Sequence, residues 1–222
     1  MKIMKPSRSF GDLLSVVSEV GRLYEDLVYI EGIAVYLHAV NQEAAQQFAE
    51  ATTDADLYIS LANLSDLRNV EELTQNPRLS KQEFQKGGFS FDVYAERQSK
   101  LPVPYSQVMA HAVDYDGVRV AALEELLVLK LDAAVDRYAS AHGQKDAKDV
   151  IRILFLAQLS GLDADRAVAY MRPDHFERLG LIVKGPEFLS LAQGNAKTAK
   201  TLRLACEKSF QRIKAAFEGP PA

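Results

Sequence analysis

Apolar positions near the start of the chain separate two kinds of element. Phe10, Leu13, Leu14, Val17, Val20, Leu23, Tyr24 and Leu27 recur every three or four residues, the spacing of one buried helical face, and Ser9 stands where a side-chain oxygen caps such a helix. Val28-Tyr29-Ile30 then reads as a short strand of β-formers, Glu31-Gly32 as a tight turn, and residues 33–40, apolar with Ala and Leu, as a second helix. The order is strand, turn, helix.

Residues 41–51 are polar and alanine-rich and lead into Thr52-Thr53-Asp54-Ala55-Asp56-Leu57-Tyr58-Ile59, which ends as a strand. Its period of two sends Asp54, Asp56 and Tyr58 to one face and Ala55, Leu57 and Ile59 to the other. Residues 61–79 read as a surface helix and loop. After Gly87-Gly88 a strand at 89–94 puts Phe89, Phe91 and Val93 on one face and Ser90, Asp92 and Tyr94 on the other. The stretch 101–104 breaks the chain, 105–113 is a short helix, and 118–121 a last short strand. From there the pattern is helical throughout, at 123–141, 147–159, 163–171, 176–181 and 197–217, punctuated by Gly143, Gly161, Pro173 and Gly185-Pro186. This divides the chain into an α/β region, residues 1–122, and a helical region, residues 123–222.

Composition changes the picture in four places. The 222 residues, 48% hydrophobic and 25% charged, suffice for a buried core and for about one and a half domains. The single cysteine, Cys206, excludes an internal disulfide, a thiolate zinc cluster and a CxxC redox site; on its apolar helical stripe it is most simply core. No stretch approaches the ~20 apolar residues of a membrane span, and the positively charged start, MKIMKPSRSF, has no apolar run behind it, so a cytoplasmic protein without membrane contact is expected. With a formal charge of −4, any nucleic-acid contact must be local. Such a patch exists at 197–214, where Lys197, Lys200, Arg203, Lys208, Arg212 and Lys214 face a single acid, Glu207. A solvated helix face is the commoner explanation, and an RNA backbone or an acidic partner protein the other.

The chemistry rests on carboxylates. Asp54 and Asp56, at i and i+2 on a strand, point the same way with Cα atoms about 6.5 to 7 Å apart, close enough to share metal ions. If Asp92 lies on a neighbouring strand, three carboxylates converge on a site able to hold two hard cations ~3.5 to 4 Å apart. A D-x-D pair alone is often only a solvated strand edge; the order of the surrounding elements raises its weight. His38, His111, His142 and His175 show no metal-ligand spacing. Lys145, Asp146 and Asp149 read as the opening of a helix, with Asp149 an internal partner of Arg137 or Lys130.

Residues 29–38 followed by 52–59 resemble the signature of the DNA polymerase β-like nucleotidyltransferase superfamily, in which a Gly-Gly or Gly-Ser turn opens a helix and a D-x-D strand follows. The stretch 123–131, then Arg137, then 145–150, is similar to the helical part of the AbiEii-type branch, which includes toxins of toxin–antitoxin systems and minimal nucleotidyltransferases. The resemblance implies an α+β fold, a small mixed sheet with flanking helices followed by a helical C-terminal region. It further implies an enzyme that moves a nucleotidyl group from an NTP to an acceptor such as tRNA or protein. Asp54, Asp56 and Asp92 would be catalytic and hold Mg²⁺, with Mn²⁺ the alternative ion, while Gly32, Lys130 and Arg137 would bind the nucleotide. RNA on the basic C-terminal helix, or a cognate antitoxin, would be the further partner. Two positions depart from the pattern: Glu31 stands where the family has Gly, and Glu50 close to where it has Arg. A carboxylate near triphosphate is repulsive, so the alternative is a catalytically weak member kept as a nucleotide-binding or protein-interaction module.

Overall fold

The computed structural model describes residues 9–219; residues 1–8, whose lack of an apolar run underlies the expectation against secretion, lie outside them. Helix α1 (Phe10–Leu23) buries Leu13, Val17 and Val20, and Ser9 and Asp12 cap each other's backbone N–H groups at 3.2 and 2.8 Å. Strand β1 (Leu27–Ile30) is buried at all its positions and runs directly into α2 (Glu31–Val40). A 3₁₀ turn (Glu43–Phe48) precedes β2 (Asp54–Ile59), and α3 (Leu61–Val70) follows, capped by the Ser60 hydroxyl. Next come β3 (Thr74–Asn76), β4 (Lys81–Lys86), β5 (Phe89–Ala95), α4 (Tyr105–Ala110), β6 (Val113–Tyr115) and β7 (Val118–Val120). These strands form one mixed seven-stranded sheet in the order β3-β4-β5-β2-β1-β7-β6, with β2/β5 and β1/β7 parallel.

Several elements differ from the expected pattern. Residues 61–79 hold a helix only to Val70, after which β3 forms an edge strand. Strand β4 was not foreseen, because Lys81-Gln82-Glu83-Phe84-Gln85-Lys86 offers one apolar residue; it is held by pairing with β5 and by stacking of Phe84 on Phe91 at 4.8 Å between ring centroids. The helix expected over 105–113 stops at Ala110, and Val113 begins β6. A two-residue turn, Asp116-Gly117, with both φ angles positive at 55° and 84°, folds β6 onto β7.

After β7 every regular element is helical: α5 (Leu123–Asp136), α6 (Ala141–Ser160), α7 (Ala164–Val168), α8 (Pro173–Lys184), α9 (Glu187–Leu191) and α10 (Ala196–Glu218). Helix α6 begins before residue 147 because Ser140 caps it, its hydroxyl accepting the Gly143 N–H at 3.1 Å. Gly143 is no stop signal: a Cβ there would lie 2.1 Å from the Arg137 carbonyl oxygen, so the missing side chain lets α6 meet the end of α5. Helix α5 is buried along its length apart from its last turn, and α2 rests against β2 and α6. Cys206 is fully buried, as its apolar stripe suggested. No helix among the described residues is long and apolar enough to cross a membrane.

Candidate functional site

Parallel pairing of β2 with β5 sets Asp56 directly opposite Asp92 and Asp54 opposite Ser90. Alternation gives the three carboxylates one face, and they open into a cleft of about 660 Å³ walled by α2, α5 and α6. Thr52 donates its hydroxyl to Asp54 at 2.7 Å, and Lys145 of α6 reaches the same hydroxyl at 3.3 Å. Asp92 is ion-paired with Lys81 of β4. Burial, then the charges of Glu31, Asp92 and Asp54, pushes the Asp56 carboxyl well above the usual carboxylate range. Burial raises Asp92 too, against the pull of Lys81. Among the described residues no three His, Cys, Asp or Glu side chains stand assembled to hold one metal ion. The donor chemistry nevertheless suits a hard dication: oxygen ligands only, on in-register strands, with Asp56 lacking the counter-charge that Lys81 gives Asp92.

The opposite wall is an ion-pair network. Lys130, 3% exposed, reaches Glu31 at 2.6 Å, Asp149 at 2.8 Å and Asp146 at 3.5 Å. Arg152 holds Asp149 at 2.6 Å, pairs with Glu50 and donates to the Phe48 carbonyl at 2.6 Å. Asp149 is thus an internal partner of Lys130, and burial, which would raise its carboxyl, is outweighed by Lys130 and Arg152, which hold it below the usual range. Glu50 is Arg152's counter-ion. Lys130, to which the resemblance gives a nucleotide contact, has its charge matched inside the protein by three carboxylates. Arg137, at the C-terminal end of α5, forks onto Asp146 at 3.0 and 3.2 Å and keeps about half its side chain exposed to the cleft. Lys145 and Asp146 stand in the second turn of α6, not at its opening; the ion pairs with Lys130 and Arg137 account for Asp146, and the hydrogen bond to the Thr52 hydroxyl for Lys145, rather than the helix dipole.

Glu31 carries the left-handed backbone, φ 57°, at the start of α2. That region favours glycine, the residue the resemblance places there. At Gly32 a Cβ would lie 3.1 Å from the Thr52 hydroxyl oxygen and 3.2 Å from its Cβ. The lone hydrogen therefore lets α2 sit against the residue that orients Asp54.

The solved structures to which the chain is similar include the following three. An antigenic nucleotidyltransferase-like protein from Paracoccidioides brasiliensis is 16% identical over 86% of this chain and 93% of its own, with a TM-score of 0.49. JHP933 from Helicobacter pylori is 12% identical over 92% and 91%, with 0.47. A candidate nucleotidyltransferase from H. pylori is 12% identical over 95% and 98%, with 0.48. No family model and no curated protein matches the chain. At these identities the chemistry rests on the cleft alone.

Several cleft residues carried no signal in the sequence. Arg78, from the turn between β3 and β4, and Lys100, after β5, line the cleft together with Lys81 and Thr52. Asp132 lines it from α5, where buried His175 and Arg172 hold it at 3.1 and 2.8 Å. Burial favours its neutral form, but those hydrogen bonds keep it below the usual range. The basic helix is less free than its composition suggests. Arg203 donates to the carbonyls of Val183 and Gly185, both at 2.8 Å, and its guanidinium lies 4.4 Å from the Phe188 ring centroid. It closes the C-terminal end of α8.

Proposed function

We propose that the cleft binds an NTP with Mg²⁺, or Mn²⁺ in its place, and transfers a nucleotidyl group to an acceptor hydroxyl or phosphate. The observation that supports this best is the in-register placement of Asp56 and Asp92 on parallel neighbours, with Asp54 beside them, at the floor of one cleft. Asp54 and Asp56 would hold the ion, and Thr52 fixes the Asp54 carboxylate by its hydrogen bond. The cation, when bound, supplies charge that polarises the phosphoryl oxygens and steadies the leaving group. Arg137 and Lys145 meet the phosphates from the α5/α6 wall. Asp92, across from Asp56, takes the proton of the acceptor. Lys130, Glu31, Asp146 and Asp149 brace α2, α5 and α6, keeping Gly32 and Thr52 where Asp54 needs them.

A second function, a nucleotide-binding or protein-interaction module without catalysis, is favoured by Glu31 on Lys130 and Lys81 on Asp92, since both pairs satisfy cleft charges internally. Incubation with each labelled NTP, Mg²⁺ and total cellular RNA and protein separates the two. Transfer of label by the parent, lost in Asp56→Asn, supports the enzyme. Asp56-dependent NTP binding with no transferred label supports the module. Label on RNA or on a protein names the acceptor class, and neutralisation by a co-expressed partner would support a toxin-like role.

A further inference from the structure

Register across three neighbouring strands lines up more carboxylates than the sequence suggested. Glu83 of β4 is the cross-strand partner of Asp92, and Asp92 that of Asp56, so Glu83, Asp92 and Asp56 form a row with strands about 4.8 Å apart. Like charges directly opposite repel, and such a row needs cations. Lys81 provides one at its outer end. Two residues before Glu83 and on the same strand face, it is ion-paired with Asp92 and lies 3.3 Å from Glu83, whose carboxylate also accepts from Asn76 at 3.0 Å. The Lys81 side chain is 10% exposed, so its ammonium stays in the row. The inner end is different: among the described residues no Lys or Arg is within ion-pair distance of Asp54 or Asp56; Asp54 accepts the Thr52 hydroxyl at 2.7 Å, and Lys130 acts on Asp56 only at longer range.

We propose that Lys81 stands in for one of the two metal ions that a site of this kind can hold, so that the cleft takes a single divalent ion, on Asp54 and Asp56. This rests on those aspartates being metal ligands. An ammonium already in contact with Asp92 offsets one of the two outer negative charges and repels a second dication at ion-contact distance. The fixed charge also ties Asp92 to β4, which leaves its remaining oxygen for the acceptor.

Calorimetric titration of the full chain with Mn²⁺ alone tests this, with thermal melts confirming that each variant is folded. The parent should bind one ion per chain, and Lys81→Arg, which keeps the charge, should do the same. Lys81→Met should bind two, the second lost on adding Asp92→Asn. Two ions in the parent, or in Lys81→Arg, would overturn the proposal while leaving the metal site in place; so would a single ion in folded Lys81→Met. If neither the parent nor Lys81→Met binds Mn²⁺, the assignment of the aspartates as ligands falls with it.

Discussion

Glu31 combines a favourable side chain with an unfavourable backbone, and the two can be pulled apart. Its carboxylate lies 2.6 Å from the Lys130 ammonium, a gross Coulomb attraction of about 6 kcal/mol at an effective dielectric of 20. Desolvation removes most of that, and a hydrogen bond between charged groups contributes about 1.5–3 kcal/mol net. The backbone opposes: φ 57° in a non-glycine residue costs roughly 1–2 kcal/mol, and glycine at the same place gives back about 0.5–1 kcal/mol of that advantage through its freer unfolded state. Glu31→Ala loses the ion pair and keeps the strain, so it should be about 2 kcal/mol less stable than the parent. Glu31→Gly loses the same pair and relieves the strain, so it should recover about 0.5–1 kcal/mol relative to Ala. Urea unfolding at unchanged m-value reads both differences. An alanine variant as stable as the parent would show that the pair contributes nothing; a glycine variant less stable than alanine would refute the strain. Both variants also release part of the Lys130 charge. Titrated with NTP and Mg²⁺ they should bind more tightly, by about tenfold for each 1.4 kcal/mol, and Asp54→Ala should abolish the gain. Unchanged affinity in both would mean that Glu31 does not oppose the nucleotide.

Four further outcomes follow from the geometry. Asp56 is held above the usual carboxylate range, so folding disfavours its charge: the penalty is absent below about pH 4, where the group is protonated in both states, and grows as pH rises to its folded value. Asp56→Asn should therefore raise the metal-free melting temperature at pH 7 but not at pH 3.5, while abolishing Mn²⁺ binding; a lower melting temperature at pH 7 would contradict the electrostatic account. Gly143→Ala drives a Cβ to 2.1 Å from the Arg137 carbonyl oxygen and should cost about 1–3 kcal/mol in chemical denaturation, with wild-type stability as the refuting result. Arg203→Ala leaves two α8 carbonyls without their donor and should lose about 2 kcal/mol, roughly 4–8 °C in Tm. Replacing Lys197, Lys200 and Lys208 with Ala should leave Tm nearly unchanged and, if the helix binds RNA, flatten the salt dependence by about 0.7–0.9 per lost contact. RNA binding indifferent to the lysines across a salt series would retire that surface.

What the sequence determined alone was local. The period of two put Asp54 and Asp56 on one face and Asp92 on the outward face of its own strand, because side-chain direction along a strand follows from the backbone. The 3.6-residue spacing foretold the helical run after residue 122 for the same reason, and Ser9 declared its cap. Asp116-Gly117 also carried a hairpin signal, but the apolar spacing of 105–113 masked it. Tertiary structure decided everything that depends on two distant segments meeting. Strand β4, nearly all polar, is held by hydrogen-bond partners on both edges, from β3 and β5, rather than by any apolar alternation of its own, and with it came Lys81 and Glu83 beside Asp92. The parallel register that sets Asp56 against Asp92 was likewise invisible, since nothing local fixes which strand neighbours which. The largest revision concerned charge. Lys130 and Arg203, read singly, are cations for a ligand; folded, one lies among three carboxylates and the other on the carbonyls of α8. A charge buried on folding needs partners, and which partners it finds is settled by packing, over separations that no pattern along the chain records.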